Sequence, residues 1–143
     1  MALYAVIDTN VLVSALLSKH SNTATVLLVD RMIKGELIPL FSADTISEYR
    51  EVLNRKKFKF EGTLIETLLS FISNFGLMIE PSKTGEILPD MKDLPFYEVV
   101  IEKRKTDDAY LVTGNQKHFP IKPFIVTPKE MLTIMDDYLN NSN

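Results

Sequence analysis

Two short apolar runs in this chain stop abruptly at polar triplets, and both stops point to the same place in a fold. Residues 2–7 give way to Asp8-Thr9-Asn10, and Tyr110-Leu111-Val112 gives way to Thr113-Gly114-Asn115. An unbroken apolar run that ends this sharply is the pattern of a strand covered on both faces, as in a parallel sheet. Ligands of open parallel sheets bind in the crevice beyond the carboxyl ends of the strands. Asp8 and Asn115 would both project there. Glu48 and Asp93, each at or near the start of a helix, are placed to join them. Hard oxygen groups converging on one crevice are what Mg²⁺ or Mn²⁺ would select.

The rest of the chain alternates in the way such a sheet requires. Helical spacing runs through residues 11–17 and 23–33, with Gly35 as a stop. Residues 36–41 read as a second strand, where Pro39 argues for an edge or a bend. Residues 42–55 and 64–75 carry apolar stripes at helical spacing, residues 77–79 suit a short strand, and 95–103 a helix. Residues 109–113 and 124–126 complete the strands. Thr127-Pro128-Lys129-Glu130 is a capping box with proline at the first helical position, so a last helix follows. Alternating strands and helices predict an α/β fold with a central parallel sheet and helices on both faces. With 143 residues, the expectation is one domain over residues 1–139 and a polar tail at 140–143. Residues 80–92, with Pro81, Gly85 and Pro89, read as a loop inside that domain.

Composition removes several chemistries. There is no cysteine and only two histidines, His20 and His118, which excludes disulfides and thiolate catalysis and argues against structural zinc. No basic leader precedes Asp8, and no apolar stretch approaches the roughly 20 residues of a membrane span, so a cytoplasmic protein is expected. The net charge of −3 makes no global case for nucleic acid. A local patch does: Arg50, Arg55, Lys56, Lys57 and Lys59 surround Phe58 and Phe60. Such a run can track a phosphate backbone and offer rings for stacking, or simply place charge at a helix end.

Each candidate also has a plainer reading. Asp8 and Asp93 have the positions of helix N-caps. Thr45-Ile46-Ser47-Glu48 is itself a capping-box pattern. Asp90 is a weaker candidate, and Asp107 and Asp108 suit a solvated turn. Asn115 is a turn residue by type, with Gly114 beside it permitting close backbone approach. Thr113 can orient a carboxylate or merely end a strand. His118 reads as a solvated loop residue.

Taken in order, the segments resemble the PIN domain, a compact metal-dependent nuclease fold common as the toxin of bacterial and archaeal toxin–antitoxin pairs. The resemblance is carried by Val6-Ile7-Asp8-Thr9-Asn10-Val11, by Ser42 to Glu48 with Tyr49-Arg50-Glu51-Val52-Leu53, by Asp90-Met91-Lys92-Asp93-Leu94-Pro95-Phe96, by Leu111-Val112-Thr113-Gly114-Asn115, and by Ile125 to Leu132. It implies a three-layer α/β/α domain. It places Asp8, Glu48 and Asp93 on three acidic positions of the family. The fourth is often Asp and here is Asn115, whose amide supplies no charge, which favours one metal ion over two. The activity implied is ribonuclease, with RNA as substrate. Asp8 and Asp93 would hold Mg²⁺ or Mn²⁺, Glu48 would orient or deprotonate water, and Asn115 would complete the water shell. Asn10 and Thr113 would fix carboxylate rotamers. An antitoxin partner and a homodimer are further implications. Two other readings stay open: an RNA- or protein-binding module of the same fold that has lost cleavage, and a phosphoryl-transfer domain with Asp8 as nucleophile. The second lacks the usual second Asp two residues on, where Asn10 stands.

Overall fold

The computed structural model describes residues 2–141. In chain order the elements are β1 (Tyr4–Ile7), α1 (Thr9–Leu17), α2 (Ala24–Ile33), β2 (Ile38–Phe41), α3 (Ala43–Leu53), α4 (Gly62–Phe75), β3 (Leu77–Met78), α5 (Leu94–Arg104), β4 (Ala109–Val112), β5 (Ile125–Val126) and α6 (Pro128–Asn141). Short 3₁₀ turns at Met91–Asp93 and Gln116–His118 lead into α5 and follow β4. The five strands form one all-parallel sheet in the order β3-β2-β1-β4-β5, within a three-layer α/β/α fold. Helix α5 lies against β1, β2 and β4, while α2 packs on α1 and α6.

The sheet centre is where the apolar runs put it. Ala5, Val6, Ile7, Leu111 and Val112 are buried, and Ile7 pairs with Val112. The chain steps outward from β1 through β2 to β3, then crosses back to β4 and continues outward to β5. The order therefore reverses between β1 and β4, and a crevice opens beyond their carboxyl ends. The ladder carries one bond further, from the Asp8 N–H to the Val112 carbonyl at 2.9 Å, so Asp8 and Thr113 emerge side by side.

Several local expectations are corrected. Strand β2 is an inner strand, not an edge. Successive backbone nitrogens face opposite neighbours. The Ile38 N–H bonds to Leu3 of the β1 side at 2.9 Å, so Pro39 turns its donor-less nitrogen toward β3. Pairing with β3 begins only at Leu40, and proline costs no ladder bond. Gly76 turns the chain tightly there; a side-chain carbon would strike the carbonyls of Ile72 and Pro39. The second strand starts at Ile38 rather than at residue 36. Gly35 (φ 86°) and Glu36 end α2 in a Schellman pair, their N–H groups bonding to Met32 and Arg31.

Helix α3 is capped by Ser42 and Thr45, not by Thr45 and Glu48. The Ser42 hydroxyl accepts from the Thr45 N–H, and the Thr45 hydroxyl accepts from the Ser42 N–H. Glu48 is thereby released from capping and sits within the helix. The box before α6 forms as its sequence requires, with Thr127 and Glu130 bonded reciprocally at 2.8 and 3.1 Å. That helix runs to Asn141, so Asn140 and Asn141 belong to its last turn instead of the polar tail expected at 140–143. Residues 142–143 of that tail lie outside the described residues. No helix among the described residues is long and apolar enough to cross a membrane.

Candidate active site

The crevice at the β1/β4 reversal is an open cleft of about 710 Å³. Asp8, Glu48, Asp93 and Asn115 all line it, although they come from the end of β1, from α3, from the 3₁₀ turn before α5 and from the turn after β4. Asp90, expected as the weaker candidate, also lines it and caps the turn before α5, accepting from the Lys92 N–H at 3.0 Å. Asp107 and Asp108 lie elsewhere and form ion pairs with Lys103 and Arg104.

Asp8 is the N-cap residue of α1 by position but makes no capping bond with its side chain. Its Oδ2 instead accepts from the Thr113 hydroxyl at 2.8 Å and from Asn10 Nδ2 at 3.3 Å. Both partners are held in turn. The Thr113 hydroxyl accepts from the Asn115 N–H at 2.9 Å, and Asn10 Oδ1 accepts from the Gly114 N–H at 3.2 Å. The two polar triplets of the sequence thus interlock, and the carboxylate has one orientation. A neighbouring brace is Tyr49, which is buried, stacks at a tilt on Phe96 and donates its hydroxyl to the Ile7 carbonyl. Gly114 is not sterically demanded, since a Cβ would lie 3.5 Å from Asn10 Oδ1, an ordinary contact.

Asp93 is likewise free of capping duty. Its Oδ2 lies 3.1 Å from His118 Nδ1. An ionised carboxylate only accepts, so this ring nitrogen carries the proton. His118, read from sequence as a solvated loop residue, is part of the cleft wall. The signal that finds it is not local: it stands 25 residues after Asp93, and the β4–β5 connection brings the two together.

The cleft is electrostatically strained. Burial raises the pKa of Asp8 from 3.8 to about 6; the Thr113 hydroxyl opposes the rise, and the Asp93 and Glu48 charges add to it. Burial also raises Glu48, as does the adjacent Glu51 charge, while Arg55 and Lys92 pull it down. Asp93 is raised by burial and partly relieved by His118. Three carboxyl groups pushed the same way share a space that a cation would relieve. Thr9 adds a second unmet demand: its Oγ1 is buried at the cleft with no hydrogen-bond partner.

Do these residues fit a divalent ion? Among the described residues, no three acidic or histidine side chains gather closely enough to enclose one unaided. The donor set is nonetheless all hard oxygen and has excess charge. Mg²⁺ commonly keeps several waters and takes only one or two carboxylates. The site fits that mode and not a dry protein cage.

The basic residues divide. Arg55 lines the cleft, and so does Lys92, which the sequence reading did not single out despite its place beside Asp93. Arg50 faces α4 instead, paired with Glu66 at 3.2 Å, and Lys56 and Lys57 are exposed in the loop beyond α3.

A family model described as the PIN domain matches residues 4–117, which spans β1 to the turn after β4 and contains every residue of this cleft except His118. The chain belongs to the PIN-domain family. PIN domains are generally nucleases and typically use divalent metal ions. No curated protein and no solved structure matches this PIN domain.

Proposed function

We propose that this PIN domain is a divalent-metal-dependent endoribonuclease that hydrolyses RNA phosphodiester bonds, acting in the cytoplasm as the toxin of a toxin–antitoxin pair. The observation that carries the chemistry is the buried Asp8 carboxylate at the sheet reversal, fixed by Thr113 and Asn10 and facing Glu48 and Asp93 across one cleft. The toxin role, an antitoxin partner and a homodimer rest on family membership alone.

Asp8 and Asp93 are the residues that would hold Mg²⁺ or Mn²⁺. When bound, the ion supplies Lewis-acid polarisation of a phosphoryl oxygen and a lowered pKa for water. The remaining work belongs to the chain. Thr113 and Asn10 keep the Asp8 carboxylate from turning away, and His118 does the same for Asp93. Glu48, half-buried and with its pKa raised by that burial, orients the attacking water and accepts its proton. The Asn115 amide binds water at the cleft wall. Arg55 and Lys92 bind phosphates flanking the cleaved bond.

The test is cleavage of a labelled single-stranded RNA by purified protein in Mg²⁺ or Mn²⁺, stopped by chelator and restored by added metal. Cleavage insensitive to chelator would defeat the reading. A second reading is favoured by Asn115, which leaves the cleft one carboxylate short: a module that binds RNA or protein without cutting. RNA binding with no cleavage in either metal would select it.

A further inference from the structure

The loop between α3 and α4 carries a feature that hydrolysis alone does not use. Phe58 lines the same cleft as Asp8 and Asp93 and is only partly buried. Its ring lies nearly parallel to that of Phe60, with centroids 5.5 Å apart and planes 11° apart. Phe60 packs against the core, so the pair is backed by rigid structure. The residue between them, Lys59, has a left-handed φ of 58°, a conformation a lysine adopts only when surrounding contacts impose it. Lys57 Nζ stands 5.1 Å from the Phe58 centroid, and Arg55 lines the cleft on the way to the acids.

We infer that Phe58 is a base-stacking platform, taking one unstacked nucleobase next to the phosphate that is cleaved. This rests on the ribonuclease reading and deepens it by naming the residue that takes a base beside the cleaved phosphate. An aromatic ring beside cations is how proteins hold single strands: the cations track the backbone and the ring takes a base face. Every base has such a face, so the platform is tolerant of sequence. A duplex conceals its base faces in its own stack, so it is excluded. Arg55 and Lys92 would anchor the phosphate, while Lys57, whose Nζ lies over the Phe58 ring, would swing from the ring to the backbone as the base arrives.

The chain has no tryptophan, so Phe58→Trp introduces a sole reporter. In an Asp8→Asn background, which slows cutting, this variant is titrated with a fluorescently labelled single-stranded decaribonucleotide, the same strand annealed to its complement, and a strand of the same length with abasic ribose at every position. Binding is followed independently by anisotropy of the label. The expected result is tryptophan quenching that tracks anisotropy for the intact single strand and is absent for the other two. In the cleaving protein, Phe58→Ala should raise KM by roughly 5- to 150-fold, the range for losing one base–aromatic stack, with a smaller change in kcat. Phe58→Tyr should keep the native KM, which a folding defect at this position would not. Unchanged tryptophan emission while anisotropy shows the strand bound overturns the platform and leaves the nuclease intact. Failure of the native protein both to bind and to cut RNA overturns the two together.

Discussion

The floor and the rim of the cleft are built on opposite principles. The floor is made of short side chains at strand ends and helix starts, Asp8, Thr113, Asn10 and Asp93, each fixed by a named partner. The rim is made of long, partly exposed side chains on a loop and a turn, Arg55, Phe58 and Lys92. The floor concentrates like charge where water is scarce and so weakens the fold at neutral pH. The rim costs the fold little. Floor substitutions should therefore change chemistry and stability together, and rim substitutions should change substrate affinity alone.

The largest expected effect is at Asp8. Asp8→Asn should lower cleavage by about 10²–10³-fold or more, as other single electrostatic deletions do, while making the protein more stable at neutral pH. The folded carboxyl has a pKa near 6 against 3.8 for the free group. Between those values the folded state holds more protons than the unfolded one, so stability falls as pH rises through the window. Below the lower value the penalty is absent; above the upper it is complete and on the order of a few kcal/mol. Melting temperatures of both proteins at pH 4 and pH 7.5 read this. A native protein more stable at pH 7.5 than Asp8→Asn would show that the floor is not strained.

Next come the residues that hold the acids. His118→Ala and Thr113→Val should each cost roughly 10- to 100-fold in metal affinity or rate, the usual loss when a ligand's partner is removed. Thr113→Val should also move the rise of the pH–rate profile to higher pH, since that hydroxyl is what lowers the Asp8 pKa. A profile that stays in place would separate Thr113 from Asp8. Asn115→Asp should tighten metal binding or admit a second ion, because it returns a carboxylate to the cleft lip. Equal affinity and stoichiometry in titration calorimetry would make Asn115 only a turn residue. The smallest effect is expected outside the cleft. Arg50→Ala breaks an exposed pair with Glu66, worth at most about 1 kcal/mol, and should leave RNA cleavage unchanged. Lost cleavage there would enlarge the rim to include α4.

What could be read from the sequence follows the range of the forces involved. The ends of β1 and β4 were legible because a strand buried on both faces leaves an uninterrupted apolar run and stops at its polar tip. The α6 start was legible because Thr127 and Glu130 satisfy each other within one turn. The α3 cap, although equally local, stays ambiguous in the sequence because Thr45 fits two capping patterns. Only the folded backbone shows that its hydroxyl turns back to Ser42. Pro39 misled because the half-length of β3, which leaves its nitrogen unopposed, is set elsewhere in the chain. His118 belongs to the cleft through the β4–β5 connection, which brings it to Asp93 from 25 residues away, and no spacing rule reaches across that.

The most direct test is Mn²⁺ titration calorimetry of the native protein and Asp8→Asn across pH 5 to 7.5. Metal binding requires Asp8 to lose its proton. The native protein should bind one ion, with affinity that falls steeply as pH drops through about 6, and Asp8→Asn should bind far more weakly at every pH. Equal affinity in the two proteins, or binding that ignores pH over this range, would contradict the assignment of Asp8 as the anchor of a catalytic cation.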